Sequence, residues 1–196
     1  QEILNRELSH RIKNTLAIVE AIATQTLRHV ADRGAVEEFS KRILALGGAH
    51  DILLQQSWAG ANLRSLIESA ISPHGAAHRF RLSGPDLMID SRSVLTVSLV
   101  LHELATNALK HGALSNGTGQ VTIDWTIEDT GEKREFFLRW VETGGPPVAK
   151  PSRSGFGTRL IESGFGGAST ARITYEPGGF QAVFRSTLQI PASNSP

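Results

Sequence analysis

Apolar residues over the first thirty positions recur with a helical period. Leu4, Leu8, Ile12, Leu16, Val19, Ile22, Ala23 and Leu27 fall on one side of a helix running from the start of the chain to near Val30. A second helical pattern runs from Ala35 to about Gln56, and ADRG at 31–34 is a short polar break between them. Two long helices joined by a tight turn make an antiparallel hairpin. The pair has little surface to bury alone, so it is expected to dimerise into a four-helix bundle. SWAGA at 57–61 marks the expected boundary.

Beyond it the pattern alternates between types. NLRSLIESAI reads as a helix stopped by Pro73 and Gly75, and RFRLSG and LMID read as short strands. Residues 92–111 predict a long helix. QVTIDWTIED and REFFLRWVE alternate with period two and are joined by a turn around TGEK. Residues 143–157, rich in Gly, Pro and Ser, predict a loop, TRLIESGF a short helix, and ARITYEP with GGFQAVFRSTLQI a closing hairpin. The tail at 191–196 is expected to be disordered. The predicted fold is α+β: a helical hairpin over 1–58, then an α/β sandwich over 59–190 with a mixed sheet and helices on one face. No internal repeat is present.

Composition narrows the partners. The 196 residues suit one large domain or two small ones. With 20 basic and 19 acidic residues there is no electrostatic case for nucleic acid. No apolar run is long enough to span a bilayer and no signal peptide opens the chain, so a cytoplasmic location is expected. The absence of cysteine excludes disulfides and cysteine-ligated zinc and fits a reducing compartment. QEILNREL begins in mid-helix, which predicts an upstream region outside this chain.

Costly side chains sit in the most helical stretch, LVLHELATNALKHG at 99–112. Leu101, Leu104, Ala105, Ala108 and Leu109 fall on one side. Glu103, Thr106, Asn107 and Lys110 fall on the other, with His111 at its edge, His102 on the flank and Gly112 as a stop. An amphipathic helix with a wet face accounts for this pattern, and so does a ligand site. Glu103 and Asn107, four apart, point an oxygen each the same way, and Lys110 adds a cation, a mix that suits a magnesium-bound phosphate ester. His10 lies opposite the first helix's apolar stripe, flanked by Arg6, Lys13 and Asn14. An exposed His needs no function, but a neutral imidazole is a competent nucleophile, and neighbouring cations favour a transferring phosphoryl group. No ligand spacing supports a metal at His10.

RWVETGGPPV at 139–148 ends a strand and enters a Gly-Pro loop. Glu142 at the strand end can accept a hydrogen bond from the exocyclic amine of adenine, where guanine presents a carbonyl. Gly144 and Gly145 would let a flat base approach the backbone, although GGPP is also a common turn composition. Trp140 reads as core. In RSGFGTRLIE, a Gly-x-Gly precedes a helix whose exposed amides favour phosphate, a weak signal alone. HGAAH at 74–78 has histidines four apart, but Pro73 and Gly75 argue against the helix a metal pair needs. Trp58, Trp125, His29 and His50 read as packing or surface residues.

Taken in order, these segments resemble the HWE family of sensor histidine kinases over nearly the whole chain. ELSHRIKNTLAIVEAIATQTLR is similar to that family's phosphoacceptor box, LVLHELATNALKHGALS to its asparagine box, and SGFGTRLIE to its glycine-rich box. His102, Trp140 and Glu142 stand where the family's three letters do. The resemblance implies a dimeric helical hairpin followed by a Bergerat-type ATP-binding sandwich, and an ATP-dependent protein-histidine kinase whose partner is a response-regulator receiver domain. It implies His10 as phosphoacceptor and Asn107 as the magnesium ligand. Glu103 would polarise the attacking group or support that magnesium. Lys110 and His111 would approach the phosphates, Glu142 would read adenine, and Gly155, Gly157 and Thr158 would belong to the lid. Commoner histidine kinases place an acidic residue directly after the acceptor. Arg11 stands there instead, which leaves Glu7 as a local candidate base. Two other classes compete: a GHKL-superfamily ATPase that moves a partner without a phosphohistidine, and a non-enzymatic scaffold that binds no ATP.

Overall fold

The N-terminal helical periodicity folds into α1 (Glu2–Thr26) and α2 (Arg33–Gln55), which pack against each other as a hairpin. The structure is a computed structural model and describes residues 2–27, 33–55, 60–129, 134–151, 155–166 and 169–187. Half of the ADRG segment, most of SWAGA, the TGEK turn, His29, Trp58 and the tail lie outside the described residues, as does the side chain of His10 on α1. Ile12, Ile18, Val19 and Ile22 of α1 and Leu44 of α2 are exposed, so the hairpin leaves part of its apolar surface uncovered within one chain.

After the hairpin come β1 (Gly60–Asn62), α3 (Leu63–Ile71), β2 (Phe80–Ser83), β3 (Met88–Asp90) and α4 (Ser91–Lys110). They are followed by β4 (Gln120–Asp129), β5 (Arg134–Thr143), α5 (Phe156–Ser163), β6 (Thr170–Glu176) and β7 (Gly179–Ser186). Five strands form one sheet in the order β2-β4-β5-β7-β6, with β2 parallel to β4 and the other pairs antiparallel. This is the mixed sheet that the alternation predicts. The sequence reading did not anticipate β1, which pairs antiparallel with β3 apart from the main sheet. Three residues, GAN, carry no periodicity to read. Side-chain caps start the helices after β1 and β3. Asn62 accepts from the Ser65 amide at 3.2 Å, and Asp90 accepts from the Arg92 and Ser93 amides at 2.9 and 3.1 Å.

Alternation decides which sheet face is covered. Val121, Ile123 and Trp125 of β4, Phe136, Leu138 and Trp140 of β5, and Ala182 and Phe184 of β7 are all buried. They share one core with Leu63, Leu66 and Ile67 of α3 and Val97, Leu101 and Leu104 of α4. Both tryptophans belong to it, and the Trp125 indole donates to the Pro85 carbonyl at 2.8 Å. The opposite face carries ion pairs such as Arg139–Asp124 and Arg185–Glu135.

The polar side of α4 is not wet along its length, because α2 packs across it. Ser98, His102, Glu103 and Thr106 are all buried. The helix is enclosed on two sides through its middle, by the sheet core and by the hairpin; Arg92 and Leu95 are exposed in its first turns, and its C-terminal turns open toward a cavity.

Candidate functional site

Where α4 opens, its last turns, the loop after β5, α5 and the β6–β7 hairpin enclose a cavity of about 450 Å³. Such a volume suits a small-molecule ligand. Asn107, His111, Glu142 and Thr158 contribute the polar part of the wall, and Val148, Ile161, Ile173, Tyr175 and Phe180 an apolar slot. Tyr175 and Phe180 meet edge to face at 5.3 Å, and burial with the nearby Glu162 charge raises the Tyr175 pKa.

Glu142 is the most constrained group of the site. Two residues after Trp140 on β5, it shares that residue's inward face. The Trp140 indole N–H donates to its Oε1 at 3.0 Å, and the Ala113 amide donates to its Oε2 at 2.7 Å. Burial raises the Glu142 pKa, opposed by these two donors. The packing is close: a Cβ added at Gly112 would lie 2.0 Å from Glu142 Oε2 and 2.9 Å from the Ala108 Cα. Gly112→Ala is therefore expected to displace the carboxylate and to cost about 2 kcal/mol, measured by thermal melting. Gly144, at φ 71°, turns the chain out of β5, and Gly145 packs against Ala113. Neither lines the cavity, but Gly145 also lies against Gly112 of its wall.

The polar side of α4 divides between two destinations. Asn107 and His111 reach the cavity. Glu103 turns instead toward α2, where Arg42 donates from Nε to its Oε1 and from Nη2 to its Oε2, the latter at 2.9 Å. Lys110 pairs with Glu38, which also lies 3.7 Å from Arg42. Burial raises the Glu38 pKa, but the Lys110 hydrogen bond and the neighbouring cations outweigh it, and the net shift is downward. His102 lies among the same charges, and burial lowers its pKa despite Glu103 and Glu38.

The glycine-rich segment meets this cluster from the other side. A Cβ at Gly157 would fall 2.1 Å from Glu103 Oε2, and the Arg42 guanidinium stacks 4.9 Å from the Phe156 ring centroid. Gly155 is the exposed residue at the N-terminus of α5, and residues 152–154 lie outside the described ones. The structure thus gathers Asn107, His111, Glu142 and Thr158 at the cavity, and His102, Glu103, Lys110 and Gly157 at the junction of α2, α4 and α5. The sequence reading missed Ile173, Tyr175 and Phe180, whose only signal was strand alternation. It also missed Arg42, whose spacing from Glu38 suggests a solvated pair within one helix.

Among the described residues no group of three His, Cys, Asp or Glu side chains could hold a metal ion. Asn107 offers the cavity one amide oxygen. That donor fits magnesium only as part of an oxygen set completed by phosphates and water.

Comparison with known proteins places this architecture. The family model for HWE histidine kinase matches residues 7–86. A blue-light-activated histidine kinase of Brucella anthropi is 45% identical over 182 residues, covering 90% of this chain and 37% of that protein. The protein of the same name from Brucella ovis is 47% identical over 165 residues, covering 82% of this chain and 34% of that one. The chain belongs to the HWE histidine kinase family. It spans about a third of the length of these curated relatives. The fold agrees too: the histidine kinase domain of the Erythrobacter litoralis EL346 blue-light activated histidine kinase superposes with a TM-score of 0.59 at 16% identity, covering 95% of this chain and 92% of that one.

Trp140 and Glu142 form one hydrogen-bonded unit at the cavity wall. His102 lies one helix face away, buried in the charged contact with α2.

Proposed function

We propose that the chain is the core of a sensor histidine kinase that binds ATP in the cavity and phosphorylates His10. The observation that carries this is the Glu142 carboxylate, held by Trp140 and Ala113 at the polar end of an apolar slot beside Asn107. A carboxylate so placed accepts from the amino group of adenine and repels the carbonyl of guanine. The slot of Ile161, Ile173 and Phe180 offers the base apolar walls.

In the reaction the His10 imidazole attacks the terminal phosphorus of ATP in line. An N–P bond forms as the P–O bond to ADP breaks, and the imidazole proton passes to a base, for which Glu7, one helical turn back, is the candidate. When bound, magnesium would supply charge neutralisation for the phosphate oxygens, and Asn107 is the residue that would hold it. His111 and Thr158 face the same volume and would position phosphates. Glu103, Lys110 and the glycines Gly155 and Gly157 are assigned to the phosphate end on the family pattern. In the described arrangement Glu103 and Lys110 are occupied by Arg42 and Glu38. The phosphoryl group would then pass to an aspartate of a response-regulator receiver domain. The exposed apolar residues of α1 and Leu44 of α2 fit a homodimer through residues 1–58, with an upstream sensory domain acting on α1.

The test is transfer of label from the terminal phosphate of ATP. Wild-type protein is expected to acquire acid-labile label. His10→Gln should abolish it while leaving ATP binding unchanged. Label that persists in His10→Gln would reject the acceptor, and absence of adenine-nucleotide binding by the wild type would reject the site.

A further inference from the structure

Arg79 lies outside the cavity, yet it holds the segment that holds Glu142. It ends a short turn, Ala77–Arg79, immediately before β2. Strand β2 runs parallel beside β4, with Phe80 opposite Val121. The Arg79 side chain is thereby directed at the connection from α4 to β4. Its Nε donates to the Gly119 carbonyl at 2.7 Å, its Nη2 to the Ala113 carbonyl at 3.1 Å, and its Nη1 to the Leu114 carbonyl at 3.3 Å. A planar fork that donates to three carbonyls of one loop fixes that loop in orientation as well as position, and charge-assisted bonds are stronger than neutral ones.

The loop's other side-chain bonds lie away from the Ala113 carbonyl: Asn116 accepts from the Thr118 and Gly119 amides at 3.1 and 2.9 Å and donates to the Gly144 carbonyl at 2.9 Å, and the Ser115 and Thr118 hydroxyls donate to the Gly112 and Gly144 carbonyls at 2.7 and 3.3 Å. Its Ala113 carbonyl comes so close to Gly119 that a Cβ there would sit 1.8 Å from the oxygen. The same Ala113 residue points its amide the other way, onto Glu142 Oε2. Ala113 is therefore gripped at its carbonyl by Arg79 and delivers its N–H to the carboxylate.

We infer that Arg79 is a positioning residue for base recognition: through the loop it fixes the direction in which Glu142 presents its free lone pairs to the cavity. The inference rests on the proposed adenine-nucleotide site. Arg79 does not line the cavity, so its effect on the base passes through the loop and Glu142.

The experiment compares ATP, adenosine and GTP binding by titration in wild type, Glu142→Gln, Arg79→Gln and Arg79→Lys, below each protein's melting temperature. Arg79→Gln is expected to bind ATP and adenosine at least about tenfold more weakly, with GTP little changed, so that the ATP-to-GTP preference collapses. Arg79→Lys, which keeps the charge but not the fork, should fall between. In the phosphorylation assay KM for ATP should rise with kcat nearly unchanged. Hydrogen exchange at the Ala113 amide should quicken while β4 amides keep their protection. A wild-type ATP-to-GTP preference in folded Arg79→Gln overturns the inference. Should that variant not fold, a wild-type preference in Arg79→Lys overturns it. If wild type binds no adenine nucleotide, or Glu142→Gln binds ATP as wild type does, the underlying site assignment has failed, a result distinguishable from failure of Arg79 alone.

Discussion

Arg42→Ala is expected to lower the melting temperature by about 9 °C, from a loss of about 3 kcal/mol. The reason is the state in which it leaves Glu103. That carboxylate is 3% exposed and its pair with Arg42, itself 22% exposed, crosses from α2 to α4. A buried carboxylate stripped of its partner loses two charge-assisted hydrogen bonds and cannot recover them from water. The partial exposure of Arg42 keeps the expected figure toward the low end for buried pairs. The loss extends past Glu103, because Arg42 also lies beside Glu38 and over the Phe156 ring.

Arg42→Lys should recover part of the stability, since it retains charge without the fork that engages both oxygens. Arg42→Met combined with Glu103→Leu should be more stable than the sum of the single losses by at least about 1.5 kcal/mol, because neither charge is then buried alone. Strict additivity in that cycle would show that the pair is not coupled across the two helices.

The same cluster explains what could and could not be read along the chain. Strand alternation put Trp140 inside, and the identical alternation carries Glu142 to the same face two residues later. The burial of that carboxylate was thus already implied by the pattern, as was the mixed sheet. On α4 the pattern distinguished an apolar side from a polar one but carried no record of what lay against the polar side. Covering it required α2, about sixty residues earlier. Glu38 and Arg42 are four apart on α2, a spacing that normally means a weak pair on a solvated surface. In the fold the two are 3.7 Å apart, and each also reaches a residue of α4. Helical periodicity describes one helix at a time, and contacts between helices distant in sequence leave no trace in it. The apolar slot was illegible for a related reason: Ile173, Tyr175 and Phe180 read as ordinary strand residues until the closing hairpin is placed beside α5.

Adenosine affinity is expected to fall as the pH is lowered, approaching tenfold per pH unit below the folded pKa of Glu142 and levelling off above it. Burial raises that pKa above the ordinary 4.5, against the opposing pull of the Ala113 and Trp140 donors. In the unliganded protein this extends upward the acid range in which the carboxyl is protonated. The stability Glu142 contributes is then fully present below its unfolded pKa and is lost as the pH rises through the folded value. Adenine reverses the preference, because its amino group is a donor and the ionised carboxylate is the better acceptor. Below the folded pKa binding therefore expels a proton from Glu142, and acid competes with the ligand. Adenosine is the appropriate probe, since it has no phosphates to titrate in the same range. In Glu142→Gln the slope assigned to this carboxyl should vanish. Its affinity should also be lower at neutral pH, because the amide NH2 must face one of two N–H donors now satisfied by carboxylate oxygens. A slope shared equally by wild type and Glu142→Gln would remove the carboxylate from base recognition.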